Sequence, residues 1–201
     1  MNARHWLAIV MALALVSTAS AAGAGQWPHE RQGLVLGFGI GGGSGQVSWS
    51  DGGFSEASDR EGGFGGNVRV GYAFSPELML GFEGASWTRT FTNEGGLDFP
   101  DVDETWTLSA STVALTWFPN GGGFFLRGGI GGGTTEVKFT RGDLEVKGHD
   151  SGFGGLLAFG YEWRLTRRFA MGPELTFGGM TLDDGWKANF TNLTLGFNWY
   201  L

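Results

Sequence analysis

The last ten residues, 192–201, limit most strictly what this chain can fold into. The even positions are polar or small except for Tyr200, whereas the odd positions are large and apolar: Leu193, Leu195, Phe197, Trp199 and Leu201. Alternation with a period of two predicts a strand with one apolar and one polar face. A soluble domain that ended on such a strand would expose an adhesive edge. We therefore expect this strand to close a barrel in a membrane.

The composition excludes several classes of protein. The 201 residues are enough for one domain, and the absence of cysteine rules out disulfide and thiol chemistry. Only 16% of the residues are charged, against about 25% in ordinary soluble domains. The 39 glycines alternate with large apolar residues rather than following a collagen period, and the net charge of −7 makes nucleic acid an unsuitable partner.

The N-terminus has the pattern of a secretory signal. Arg4 supplies the positive charge, Leu7–Val16 the apolar segment and Ala19-Ser20-Ala21 the cleavage site. The apolar segment is shorter than the roughly 20 residues that a membrane-spanning helix needs. We predict a signal peptide over residues 1–21, with Ala22-Gly23-Ala24 as a second possible cleavage site. A short periplasmic lead over 22–32 and a barrel over 33–201 follow.

Eight stretches have the alternation of strands: 33–43, 64–74, 78–88, 106–118, 124–135, 153–164, 169–180 and 192–201. The connections alternate between short turns and long loops, and the strand lengths suit a tilted membrane strand. The fourth stretch changes parity, since Trp106 and Leu108 share one face and Val113 the other, which predicts a bulge between residues 110 and 113. Aromatic residues near the short turns predict an interfacial girdle: Tyr72, Phe74, Trp117, Phe118, Trp163, Phe169, Trp199 and Tyr200.

Charged residues fall on strand faces that are otherwise small, and we therefore expect them inside the barrel: Arg69, Glu83, Arg127, Glu174 and Glu162. The turn at 75–77 centres its hairpin on Pro76, which sets Arg69 directly opposite Glu83 as an ion pair. Arg127 and Glu174 complete the same layer, and Glu162 lies lower, near Arg164. The layer is either a charged gate or a salt-bridge plug. An eight-stranded interior is about filled by side chains, which favours the plug.

The C-terminal strand resembles the terminal insertion signal of bacterial outer-membrane barrels, through Thr194, Gly196, Phe197, Trp199 and Leu201. That signal usually ends in Phe or Trp, whereas this chain ends in Leu201. Residues 33–201 resemble the OmpA/OmpX-type small barrels of the outer membrane protein beta-barrel domain family. The resemblance implies an all-β, eight-stranded, antiparallel up-and-down transmembrane barrel in the bacterial outer membrane. It also implies contact with outer-membrane lipid, lipopolysaccharide and the barrel-assembly machinery, and we expect a monomer.

A structural or surface-interaction role is the function that these patterns favour. The alternatives are a narrow channel or a transporter of small hydrophobic ligands, and then a lipid A-modifying enzyme. His149-Asp150-Ser151 has suggestive residue types, but sequence neighbours rarely form a triad, and the His-x-Ser-Asn pattern of lipid A deacylases is missing. The acidic stretch 98–104 lacks the pattern of a calcium-binding EF-hand. We expect no catalytic activity, metal or cofactor.

Insertion should depend on the terminal strand, because its aromatic face and free end are what the assembly machinery would recognise. Deletion of Trp199–Leu201 is expected to leave the protein in the periplasm, and Leu201→Phe is expected to assemble at least as well as the parent. Fractionation of cell envelopes measures both. A truncated chain that reached the outer membrane at normal levels would contradict this interpretation.

Overall fold

The computed structural model describes residues 31–51, 54–93, 102–141 and 144–201, and these form one closed antiparallel barrel. The predicted signal peptide and all but the last two residues of the predicted lead lie outside the described residues. Ten strands follow in chain order within these ranges: β1 Gly33–Asp51, β2 Phe54–Ala57, β3 Glu61–Ser75, β4 Leu78–Asn93, β5 Val102–Trp117, β6 Phe124–Arg141, β7 Leu144–Tyr161, β8 Trp163–Arg164, β9 Phe169–Leu182 and β10 Trp186–Tyr200.

The wall consists of the eight long strands, and β2 and β8 are short additions. Each long strand pairs with the next along the chain, and the C-terminal strand β10 pairs with β1 from Val35↔Tyr200 to Trp49↔Trp186. This closing seam leaves the terminal strand without a free edge. The predicted eight-stranded up-and-down barrel is therefore confirmed. Within the described ranges, no helix is long and apolar enough to cross a membrane.

Several strands extend far beyond their predicted ends. β6 and β7 each have 18 residues, more than the roughly 9–11 that cross a bilayer. The predicted loop 136–151 is thus a β-hairpin that continues past the barrel rim. Its strands are paired from Arg141↔Leu144 onwards into the barrel wall. The predicted loop 181–187 reduces to a 3-10 turn at Asp183–Gly185. We call the end of the barrel that carries these two connections the loop end, and the opposite end, where the C-terminus lies, the turn end.

The outward face forms an apolar belt. Alternate residues of the long strands expose large apolar side chains; Phe82, for example, is 71% exposed and Leu157 is 67% exposed. The bulge expected between residues 110 and 113 is wrong, because β5 pairs with β4 and β6 in unbroken register through these residues. Trp106 and Leu108 instead face the interior, which is apolar at this height. A register shift occurs elsewhere, between Ala73 and Ser75.

Pro173 interrupts the hydrogen-bonded wall near the turn end. β7 and β9 pair as far as Gly160↔Glu174, and the pairing resumes between β8 and β9 at Trp163↔Met171. Proline has no N–H to donate to a ladder, which accounts for the interruption. Glu162 lies in this gap, and its backbone N–H donates to the carbonyl of Gly123 at 2.8 Å, which continues the β6–β7 pairing one step beyond Phe124↔Tyr161.

Candidate functional site

Four charged side chains from four strands meet in the middle of the lumen. They are Arg69 of β3, Glu83 of β4, Arg127 of β6 and Glu174 of β9, and all are buried. Arg69 Nη2 lies 2.6 Å from Glu174 Oε2, and Arg127 Nη1 lies 2.9 Å from Glu174 Oε1 and 3.0 Å from Glu83 Oε2. The two carboxylates thus each contact a guanidinium, and we call this set the charge quartet.

Arg69 and Glu83 are cross-strand partners in the register of β3 and β4. Their side chains, however, come no closer than 3.5 Å, from Arg69 Nε to Glu83 Oε2. Arg69 instead directs its Nη2 group across the lumen to Glu174. The backbone pairing therefore follows from the turn at Pro76, whereas the strongest contact of Arg69 is with another strand.

Neutral polar groups complete the hydrogen bonding of the quartet. Asn67 Nδ2 donates to Glu174 Oε1 at 2.7 Å, and Thr176 Oγ1 donates to the same oxygen at 3.1 Å. Arg127 Nε donates to Thr116 Oγ1 at 2.9 Å, and Arg69 Nη1 donates to Asn198 Oδ1 at 3.2 Å. A buried ion pair is tolerable only when most of its remaining donors and acceptors are satisfied. These groups satisfy most of them, whereas Arg69 Nε and Asn67 Oδ1 have no hydrogen-bond partner among the described residues.

Glu162 forms a second centre closer to the turn end. Its Oε1 accepts from Asn198 Nδ2 at 2.7 Å, and both carboxylate oxygens lie 2.8 Å from the hydroxyl of Tyr200. Arg164, which was expected beside it, stacks over the Tyr200 ring with 3.9 Å between Cζ and the ring centroid. Asn198 contacts both Arg69 and Glu162, so it links this centre to the quartet.

Arg31 is the main residue that sequence reasoning missed. Its side chain is fully buried and donates to Glu162 Oε2 from Nη2 at 3.0 Å. The same guanidinium donates to the carbonyls of Pro76, Gly121 and Gly122 at 2.8–3.2 Å, which fastens two neighbouring turns together. It also stacks on Phe118, with 3.6 Å between Cζ and the ring centroid. Arg31 therefore fills the turn end of the lumen.

The loop-end part of the lumen is apolar, which corrects the expectation that inward positions other than the charged ones are small. Its buried side chains form one cluster of Val47, Ala85, Trp87, Leu108, Ala110, Leu156, Met180, Leu182, Ala188 and Phe190. A second apolar cluster lies towards the turn end and includes Phe118, Phe125 and Tyr200. Phe118 and Tyr200 were predicted for the lipid-facing girdle, and this is wrong, because they are 1% and 4% exposed and point inward.

The residues of the predicted insertion signal occupy both faces of β10. Thr194 and Gly196 face the lumen, whereas Trp199 and Leu201 are exposed on the lipid side. Trp199 packs against Phe169 with 4.9 Å between ring centroids. The backbone N–H of Leu201 donates to the carbonyl of Leu34 at 2.8 Å, which fastens the chain end to the first strand.

Candidate catalytic and metal groups do not assemble in the described part of the chain. His149 and Asp150 are consecutive on β7, so they point to opposite faces of the sheet. Asp150 Oδ1 accepts from the neighbouring backbone N–H of Ser151 at 2.8 Å. Among the described residues, no group of three or more histidine, aspartate or glutamate side chains is placed to hold a metal ion.

The closed wall, the apolar belt and the packed lumen define a small outer-membrane β-barrel protein. The model of the outer membrane protein beta-barrel domain family matches residues 8–200, and the chain belongs to that family. Its family and fold place it in the bacterial outer membrane. No curated protein matches the sequence.

Solved structures with the same fold include two small surface barrels. Ail, the attachment invasion locus protein of Yersinia pestis, solved in complex with the heparin analogue sucrose octasulfate, has a TM-score of 0.56 and 20% identity, over 84% of this chain and 99% of Ail. Neisserial surface protein A has a TM-score of 0.51 and 11% identity, over 84% of this chain and 97% of that one. At these identities the likeness concerns the fold alone.

The ion pairs of the quartet should be strongly coupled. Arg69→Ala is expected to reduce the free energy of unfolding by about 3–5 kcal/mol, because it leaves two buried carboxylates to share the single guanidinium of Arg127. Glu174→Ala should cost a similar amount, and the double variant should cost clearly less than the sum of both. Urea unfolding of the barrel in lipid vesicles measures these values.

The matched control is Arg89 and Glu61, an ion pair whose side chains are 32% and 39% exposed. For such a pair we expect a coupling of about 0–1 kcal/mol. Single and double variants of Arg69 and Glu83 should give a coupling energy between those of the other two pairs, because the contact of Glu83 with Arg69 is longer than that of Glu174. Additive losses for Arg69 and Glu174 would show that the quartet does not act as a unit.

Proposed function

We propose that this protein is a closed outer-membrane barrel that binds an extended polypeptide segment of a partner at the cell surface. The proposal rests on the open edge of β7 beyond the barrel rim. β9 pairs with β7 only from Gly152↔Leu182 towards the turn end. Residues 144–151 pair with β6 on one side and have no strand on the other within the described chain.

This edge is suited to the addition of a strand. In an antiparallel pair, alternate residues of an edge strand direct their N–H and C=O groups away from the partner strand. Residues 144–149 of β7 are all exposed, and Leu144 and Val146 are 73% and 65% exposed. A partner segment would form main-chain hydrogen bonds with the edge and cover these two side chains, a known mode of peptide recognition.

Charges on the same hairpin oppose pairing between copies of the protein. Glu145 lies 2.7 Å from Lys138 Nζ and 2.9 Å from Lys147 Nζ. The hydrogen bond from Lys138, followed by that from Lys147, lowers the pKa of Glu145, so the carboxylate stays ionised. Charged residues on an edge strand are a common protection against edge-to-edge aggregation. They support a monomer that pairs only with a complementary segment.

The heparin analogue bound by Ail suggests a polyanion as an alternative partner. The hairpin is less suited to a polyanion, because both of its lysines are engaged with Glu145. The remaining partners that we propose follow from location. Lipid and lipopolysaccharide surround the apolar belt, and the barrel-assembly machinery contacts β10 during insertion.

Photocrosslinking in living cells tests the surface role. A photoreactive amino acid at Glu145 should give a discrete protein adduct, and Lys147→Pro should abolish it by removing an edge N–H. The control position is Leu157, whose side chain is 67% exposed on the lipid-facing belt. Protein adducts from Leu157 but not from Glu145, or adducts unaffected by the proline, would contradict the proposal.

The channel and transporter alternatives predict a continuous path through the lumen. The quartet, the Glu162 centre and Arg31 fill successive levels of it, so we expect little or no steady conductance in planar bilayers. Arg31→Ala should raise the frequency of brief openings, because it removes the side chain that fills the turn end. A large, stable conductance of the parent protein would favour the channel.

A further inference from the structure

The loop end of the lumen opens into a pocket of about 350 Å³, which we call the outer pocket. It lies above the apolar cluster and is distinct from the edge of β7. Its lining combines aromatic and acidic side chains with parts of β1. The aromatic and acidic side chains of this lining are Trp87, Trp106, Phe91, Glu104, Asp59 and Glu61.

Aromatic rings form one side of the outer pocket. Trp87 lies against the inner surface of β1 and β3, where only glycine leaves room for it: a Cβ on Gly45 would lie 2.5 Å from Cε3 of the ring. The side chain of Trp87 is buried, and its indole N–H has no acceptor among the described residues. The indole nitrogen lies against Gly63 of β3 and is closed off from solvent, so Trp87 forms the apolar inner wall of the outer pocket.

Carboxylates are held close to these rings. Glu104 Oε1 accepts from the indole N–H of Trp106 at 2.6 Å, which fixes the carboxylate beside that ring. Asp59 lies on a segment that is fastened to β1, since Ser58 N donates to Val47 O at 2.9 Å and Gln46 Nε2 donates to Ser58 O at 2.8 Å. Within the described chain, neither Glu104 nor Asp59 forms an ion pair with a basic side chain.

The protein already places one of its own cations in such an environment. The guanidinium of Arg89 stacks on Phe91 with 4.3 Å between Cζ and the ring centroid, and its Nη1 lies 2.5 Å from Glu61 Oε2. An aromatic face with an adjacent carboxylate is the combination that recognises organic cations. Trp106 lies directly opposite Arg89 in the register of β4 and β5, but the guanidinium of Arg89 is directed to Phe91 and Glu61. No cation among the described residues therefore stacks on the Trp106 ring or pairs with Glu104.

We infer that the outer pocket binds a small organic ammonium cation. The cationic group would lie on the ring of Trp106 and be neutralised by Glu104 and Asp59. The same ammonium chemistry is available from a free solute or from a lysine side chain of a partner. The site does not depend on strand addition at β7.

Isothermal titration of the full barrel in detergent micelles tests this inference, with choline as the probe. Its neutral isostere, in which a tert-butyl group replaces the trimethylammonium group, has the same shape without the charge. Choline should bind saturably and the isostere should not. Glu104→Gln, which keeps the acceptor for Trp106 but removes the charge, should weaken choline binding about three- to tenfold.

Glu145→Gln is the matched control, because it removes an equally acidic side chain from the hairpin outside the outer pocket, and it should leave choline affinity unchanged. A second titration with a lysine-containing tripeptide, against its glutamine counterpart, distinguishes a partner's side chain from a free solute; saturable binding of either cation supports the site. Three results would overturn it: equal binding of the isostere, no effect of Glu104→Gln beyond that of Glu145→Gln, or no saturable binding of either cation. The crosslinking at Glu145 can succeed or fail independently of all three.

Discussion

Glu174 accepts hydrogen bonds from two arginines on different strands, and the packed lumen depends on this neutralisation of buried charge. Arg69 and Arg127 reach it from β3 and β6, while Glu83 takes the second contact of Arg127. A lone ion in such an environment would be costly, and opposite charges and hydrogen bonds around it offset that cost. Each member belongs to a different strand, so the network connects the wall across its interior. Backbone hydrogen bonds between the strands thus hold the barrel around its circumference, and ion pairs hold it across the lumen.

Much of this architecture could be predicted from local rules. The period of two assigns each residue to a face, so the inward position of Arg69, Glu83, Arg127 and Glu174 follows from their neighbours in sequence. The turn at Pro76 fixes the register of one hairpin, and with it the Arg69↔Glu83 pairing. Alternation and turn register do not predict which charged side chains contact each other across the lumen. Those contacts depend on how the strands tilt and stagger around the barrel.

The two largest omissions have different physical causes. The apolar loop-end cluster was misinterpreted because the inward Trp106 and Leu108 look like lipid-facing residues, and a bulge was invoked to place them outside. Arg31 was assigned to a polar lead, yet one signal pointed to it. The alternation of β1, extended back from Val35, gives residue 31 an inward position, at the level where the inward Glu162 is expected to have Arg164 as its neighbouring cation. The alternation of the first strand is therefore a usable constraint on the segment that precedes it.

The position of Arg31 has a consequence for the order of assembly. Its partners lie 45 to 131 residues further along the chain, at Pro76, at Gly121 and Gly122, and at Glu162. Contacts between residues so distant in sequence form only after the intervening hairpins have brought them together. Arg31 precedes the first strand in the chain, yet it is thus among the last residues to reach its partners. The guanidinium of Arg31 therefore becomes buried only when the strands have closed into the barrel.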